Sequence, residues 1–149
     1  MEHKNLVGRY IVLTEPARWR NAGEDEARIL PAGTMCRIDS IRPEGCMAWI
    51  PDALEEFFIF RKYIESAIIW EEGREMVVRI HCGTPAVCSV CNADMSYWVP
   101  RYFHIDAGGG VEILCADDAA ILLGESSRGI IWEQRETSPA DAVAGYFNN

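Results

Sequence analysis

The sequence predicts a β-rich α+β fold, and three observations carry that prediction. Short runs rich in β-branched and aromatic residues recur along the 149-residue chain. Pro, Gly, Asn and Asp separate those runs at short intervals. The clear helix start signals, at Asp117 and Ser138, fall in the last third. With 49% hydrophobic residues the chain has material for a sizeable core. Its length suits a single domain over residues 1–149, with sub-lobes at 1–72 and 73–149.

The elements of the first half follow in order. Gly8 to Thr14 is a β-branched and aromatic run opened by Gly, and reads as a first strand. Glu15 to Arg28 is polar, contains Pro16, Asn21 and Gly23, and reads as a long exposed loop. Trp19 lies in that loop between Arg18 and Arg20, either as an exposed binding hot spot or folded back over the mouth of a small barrel. Leu30 to Thr34 is a turn, because Pro31 presets φ and Gly33 supplies a positive one. Met35 to Ile41 alternates with neither face cleanly apolar, Arg42 to Gly45 turns, and Cys46 to Ile50 returns as the second arm of a hairpin. Pro51 to Phe60 is expected to make a brief helical turn and then a strand. Residues 62–66 read as a further turn and Ala67 to Trp70 as another strand. Short strands, a long polar loop after the first, and this hairpin resemble a small SH3-like barrel. That resemblance covers the first half only and rests on pattern, with no signature motif.

In the second half Glu75 to His81 reads as a strand leading into a Gly/Pro-punctuated cysteine turn. Tyr97 to Ile105 is strand-like, with Pro100 marking an edge or bulge because it lacks an N–H. Asp106 to Gly110 is a hairpin turn, since its glycines link two strands whereas a phosphate-cradling loop must open a helix. Val111 to Cys115 pairs back. Asp117 then caps a short helix over 118–123 closed by Gly124. Gly129 to Trp132 is a last strand, and Ser138 with Pro139 starts a final helix to about Phe147.

The charge is uneven. Residues 1–51 hold seven bases and seven acids, and residues 52–149 hold seven bases and sixteen acids, so the second segment carries the whole −9. A field of that sign repels nucleic acid. It serves solubility, and it also suits a partner protein with a basic surface. Twelve of the fourteen bases are Arg, the residue better suited to bidentate interface pairs. No run of about 18 apolar residues and no signal-peptide pattern is present, so a cytoplasmic location with reduced cysteines is expected.

Cysteine spacing supplies the candidate site. Cys88 and Cys91 form a Cys-x-x-Cys pair, whose short loop lets two thiolates converge on one soft cation such as zinc. Cys82 lies six residues before Cys88. A tetrahedral site needs a fourth donor, and Cys115 or, as the alternative, His104 would supply it from the adjoining hairpin. The predicted metal ligands are therefore Cys82, Cys88, Cys91 and Cys115. Simple burial of reduced cysteines and a redox pair are the competing readings, although no helix good enough to lower a thiol pKa follows Cys91. Nucleophilic catalysis would use one of these cysteines, His104 as base and Asp106 as its orienter, two residues apart on one strand face. Cys36 and Cys46 flank the first hairpin's turn and read as small packing residues, or as facing cross-strand neighbours.

The expected function is that of a small, acidic, non-enzymatic binding or inhibitory protein. It would be a phage or mobile-element regulator that blocks a basic, nucleic-acid-binding partner surface, anti-CRISPR-like by analogy of charge. The alternative is a small cysteine-dependent enzyme using the turn from Cys82 to Cys91.

Overall fold

The computed structural model describes residues 5–19, 28–81, 85–95, 99–125 and 131–135. Among these residues it is β-rich, with two short helices and several mostly antiparallel sheets, none of them closed into a barrel. The chain separates into two compact units, one built from residues up to Ile69 and one starting at Trp70. No helix among the described residues is long and apolar enough to cross a membrane.

The first unit is organised on a sheet of five strands: β1 (Tyr10–Val12), β4 (Met35–Arg42), β5 (Gly45–Ile50), β6 (Glu55–Phe60) and β7 (Ile68–Trp70), in the order β6-β5-β4-β1-β7. The sheet is open, which corrects the expectation of a closed barrel. Alternation along β4 and β5 sends Cys36, Ile38, Cys46, Ala48 and Ile50 inward to meet Phe57 and Ile59 of β6. The face of β4 that looked mixed in sequence is thus a core face for its first half. A register shift between Ile38 and Ser40 then breaks the alternation, and Ile41 is exposed.

The segment from Glu15 to Arg28 is more ordered than a loop at both ends. β2 (Ala17–Trp19) pairs with β3 (Arg28–Leu30) in a small ladder, and residues 20–27 lie outside the described residues. Ala17 and Leu30 are cross-strand partners and both are buried, so these short strands form because each contributes one apolar side chain to the core. Arg28 closes the hairpin onto β6. Its guanidinium grips Glu55 with two hydrogen bonds of 2.6 and 2.7 Å and lies 4.4 Å over the Phe57 ring. Both partners are more than a third exposed, so the pair fixes orientation and adds at most about 1 kcal/mol. Trp19 ends β2, and its side chain lies outside the described residues.

Residues 51–54 form a turn before β6, and Leu54 takes a φ of 51° there while its side chain is 76% exposed. A γ-branched side chain gains nothing from that exposure and loses by the left-handed backbone. Leu54→Gly is therefore expected to raise stability by about 0.5–1 kcal/mol, read as a higher urea midpoint at unchanged slope. A lower midpoint would show that the Leu54 side chain contributes more than its exposure suggests. The residues after β6 make helix α1 (Arg61–Glu65), where the sequence suggested only a turn. Tyr63 and Ile64 are the residues it buries.

The second unit centres on a four-stranded sheet of β8 (Met76–Ile80), β11 (Arg101–Ile105), β12 (Val111–Leu114) and β13 (Ile131–Arg135), in the order β12-β11-β8-β13. β8 is paired on both edges, antiparallel to β11 and parallel to β13, and its Met76, Val77, Val78 and Ile80 are all buried. Pro100 sits just before β11, so its missing N–H removes nothing from the ladder. The β11–β12 turn is a hairpin as expected. Asp106 Oδ1 accepts the N–H groups of Gly108 and Gly110 at 2.9 and 2.8 Å, and Gly109 takes a φ of 91°. Helix α2 (Ala116–Glu125) starts two residues earlier than predicted, because the Cys115 carbonyl accepts the first helical bond from the Ala119 N–H at 3.0 Å. The helix expected after Ser138 lies outside the described residues.

Candidate metal centre

The Cys-x-x-Cys segment is the tip of a miniature hairpin. β9 (Ala86–Val87) pairs with β10 (Asp94–Met95) in the register Asp94 to Val87 and Met95 to Ala86. Between them the chain turns tightly. The Cys88 N–H donates to the Ala93 carbonyl at 2.9 Å, and the Asn92 N–H donates to the Cys88 carbonyl at 3.0 Å. Asn92 takes a φ of 61°, the left-handed residue that such a curl needs, and Asn tolerates it better than most side chains. The hairpin is stitched to β12 through Ser89, whose N–H donates to the Ile113 carbonyl at 2.8 Å and whose Oγ accepts the Ile113 N–H at 3.1 Å.

Those bonds place Cys88 and Cys91 against the junction of β12 and α2, where Cys115 and Asp118 reside. The donor atoms of Cys88, Cys91, Cys115 and Asp118 all lie within 4.8 Å of one another. Cys88 Sγ and Cys115 Sγ both donate to Asp118 Oδ2, at 3.1 and 3.2 Å. Cys91 Sγ and Cys115 Sγ are 3.7 Å apart. Ideal tetrahedral coordination with Zn–S of about 2.3 Å and Zn–O of about 2.0–2.2 Å sets S···S near 3.8 Å and S···O near 3.5 Å. The three closest contacts, at 3.1, 3.2 and 3.7 Å, sit at or inside those edges, and no pair of donors is more than 4.8 Å apart, so the four could close on one ion with modest side-chain shifts. A small core holds the scaffold from below: Cys88, Met95, Leu114 and Ala119 are buried, with Tyr102, Ile113 and Leu122 packed around them.

The electrostatics of the cluster follow from its contacts. Burial pushes the Cys88 thiol up, but backbone N–H donors from Cys91, Cys115 and Val90 outweigh that and leave it below the ordinary thiol value. The Cys115 N–H points straight at Cys88 Sγ at 3.3 Å. Hydrogen bonding to Asp118, more than any other cause, pushes the exposed Cys91 thiol up to about 12. The same thiols, Cys91 first, hold the Asp118 carboxyl below its usual range. A bound dication would favour the thiolate directly and so oppose the upward push on Cys91.

Three of the predicted ligands, Cys88, Cys91 and Cys115, come together, and Cys82 lies outside the described residues. The alternative ligand, His104, sits elsewhere on the sheet. Its Nε2 is 2.6 Å from Glu75 Oε2 and its Nδ1 is 3.8 Å from Glu112 Oε2. Asp106 turns its carboxylate to the hairpin's own N–H groups and does not orient His104. Asp118 was not foreseen as a ligand. The signal was present: Cys115 and Asp118 repeat the three-residue interval of Cys88 and Cys91, at a helix start that presents both to one point. Cys36 and Cys46 are free, fully buried and far apart in register, opposite Ile11 and Ile41 respectively. Burial pushes both thiols up to about 12, as suits packing residues and not nucleophiles.

Comparison with protein-family models, with curated proteins and with solved structures finds no match to this chain.

Proposed function

We propose that Cys88, Cys91, Cys115 and Asp118 form a structural zinc site, and that the protein is a non-enzymatic binding or inhibitory protein directed at a basic protein surface. The convergence of four donors from two short segments carries the first part. Three thiolates and one carboxylate complete a tetrahedron, leaving no position open for a reacting molecule. The shallow cavity of about 400 Å³ beside the hairpin, lined by Pro85, Ala86, Val87, Asp94 and Met95, offers a single ionisable side chain. Charge supports the second part. Residues 70–138 carry eleven acids and five bases, so this segment alone accounts for −6 of the net −9. Such a field speeds encounter with a basic patch and weakens with salt.

Metal analysis of the purified protein tests the site. About one zinc per chain is expected, as a closed tetrahedral site requires. Asp118→Ala should lower zinc affinity at least about a hundredfold, while Asp118→Cys should retain binding. Absence of zinc both as purified and after reconstitution would remove the proposal. Capture of a basic protein that releases between low and moderate salt would support the binding role, and failure to retain any basic protein at low salt would count against it.

A further inference from the structure

We propose that hydrogen peroxide closes a disulfide between Cys91 and Cys115 across this site and thereby releases its zinc. The inference rests on the zinc reading above and adds its regulation. The three sulfurs differ in access. Cys88 is fully buried, and its Sγ accepts the Cys115 N–H and touches Asp118. Cys91 stands exposed at the hairpin tip, and Cys115 is partly exposed. The exposed sulfur also has its neighbour in place, since Cys91 Sγ and Cys115 Sγ are 3.7 Å apart. A disulfide at about 2.05 Å asks for a closure of roughly 1.7 Å. That movement falls on the hairpin tip and on the segment joining β12 to α2, neither of which lies inside a strand ladder.

The chemistry balances with the peroxide alone. The Cys91 thiolate attacks one oxygen of hydrogen peroxide, the O–O bond breaks, and Cys91 becomes a sulfenic acid while the leaving hydroxide takes a proton from the buffered solvent. The Cys115 thiolate then attacks the Cys91 sulfur, forms the S–S bond and expels the second hydroxide, which is also protonated. Two thiolates lose two electrons together, and the peroxide is reduced to two waters. Cys88 and Asp118 remain, and a single thiolate with a single carboxylate is too small a donor set to retain zinc. A thiol reductant reverses the step by exchange at the exposed Cys91 sulfur, after which zinc can rebind.

The experiment uses the full chain loaded with zinc and titrated with hydrogen peroxide. Zinc release is followed with a chromophoric indicator, free thiols are counted, and the linkage is mapped by mass spectrometry of unreduced peptides. Zinc content is measured before any oxidant is added. The expected result is loss of about two thiols for each zinc released, a cross-linked peptide pair joining Cys91 to Cys115, and recovery of zinc binding after reduction. Zinc that stays bound while the peroxide is consumed, or release accompanied by a linkage through Cys88 or by sulfinic acid at Cys91, overturns the switch and leaves the zinc site standing. A protein that holds no zinc at the outset overturns the zinc site itself, and the switch with it.

Discussion

Stripping zinc from the protein with a strong chelator at neutral pH is expected to lower the thermal midpoint of the second unit by more than about 10 °C. The magnitude follows from what else holds the hairpin in place. Its two strands contribute two residue pairs, and among the described residues the core beneath it has four buried members. A hairpin so small is not stable by itself in water. Structural zinc in finger peptides contributes about 10–16 kcal/mol of apparent binding free energy at pH 7. Even a quarter of that moves the midpoint of a 60–100-residue unit by about 10–30 °C, at about 4–8 °C per kcal/mol. Cys88→Ser should mimic chelation, because it removes the buried sulfur that both binds the ion and packs under the hairpin. Cys36→Ser supplies the control. It perturbs a packing thiol on β4 and should leave the response to chelator intact. Superimposable melts with and without chelator, on protein shown by metal analysis to have been stripped, would end the structural role.

Much of this arrangement could be read from residue types and spacing, and the part that could not has physical causes. Cys88, Cys91 and Cys115 were placed together because a short curl and a neighbouring hairpin arm leave few alternatives. Asp118 escaped because the helix start was read two residues too late. With Asp117 as the cap, Asp118 becomes the first helical residue and points away from no particular target. With the Cys115 carbonyl accepting from Ala119, Asp118 falls in the first turn, on the side facing the hairpin tip. Strands of two or three residues, such as β2, β3, β9 and β10, have too few positions for a period to declare itself. They exist because a partner strand supplies the missing hydrogen bonds, as when Ala17 meets Leu30 or Ala86 meets Met95. The longer strands β4, β5, β8 and β11 were found within a few residues, since each has at least five positions on which alternation or a continuous apolar run can show. The barrel expected for the first half was wrong because closure depends on pairing between strands distant in sequence, and local pattern carries no record of whether a sheet closes or stays open.

Gly45→Val is expected to destabilise the first unit by about 3 kcal/mol or more. In sequence Gly45 looks like an ordinary turn glycine, valued for its freedom of φ. The structure assigns it a different necessity. It opens β5 opposite Phe60 of β6, and a Cβ built on it would collide with the Ile59 carbonyl oxygen and press on the Phe60 Cα. The obstacle is backbone, so no rotamer change relieves it. Either β5 and β6 part at their first pair, or the turn from Arg42 shifts and carries its strand ends along. Parting also threatens the bond from the Arg61 N–H to the Glu44 carbonyl at 2.8 Å, which ties the start of α1 to this turn. A backbone hydrogen bond lost there costs about 1 kcal/mol more. Gly73 makes the informative comparison, since nothing lies within 4 Å of a Cβ placed on it and only its φ of 85° resists substitution. Gly73→Ala should therefore cost about 1–2 kcal/mol, the ordinary penalty for a side chain in left-handed backbone. Urea titrations of the two variants separate the causes. If Gly45→Val and Gly73→Ala destabilise equally, the close approach of the β6 backbone to Gly45 is not what that position is selected for.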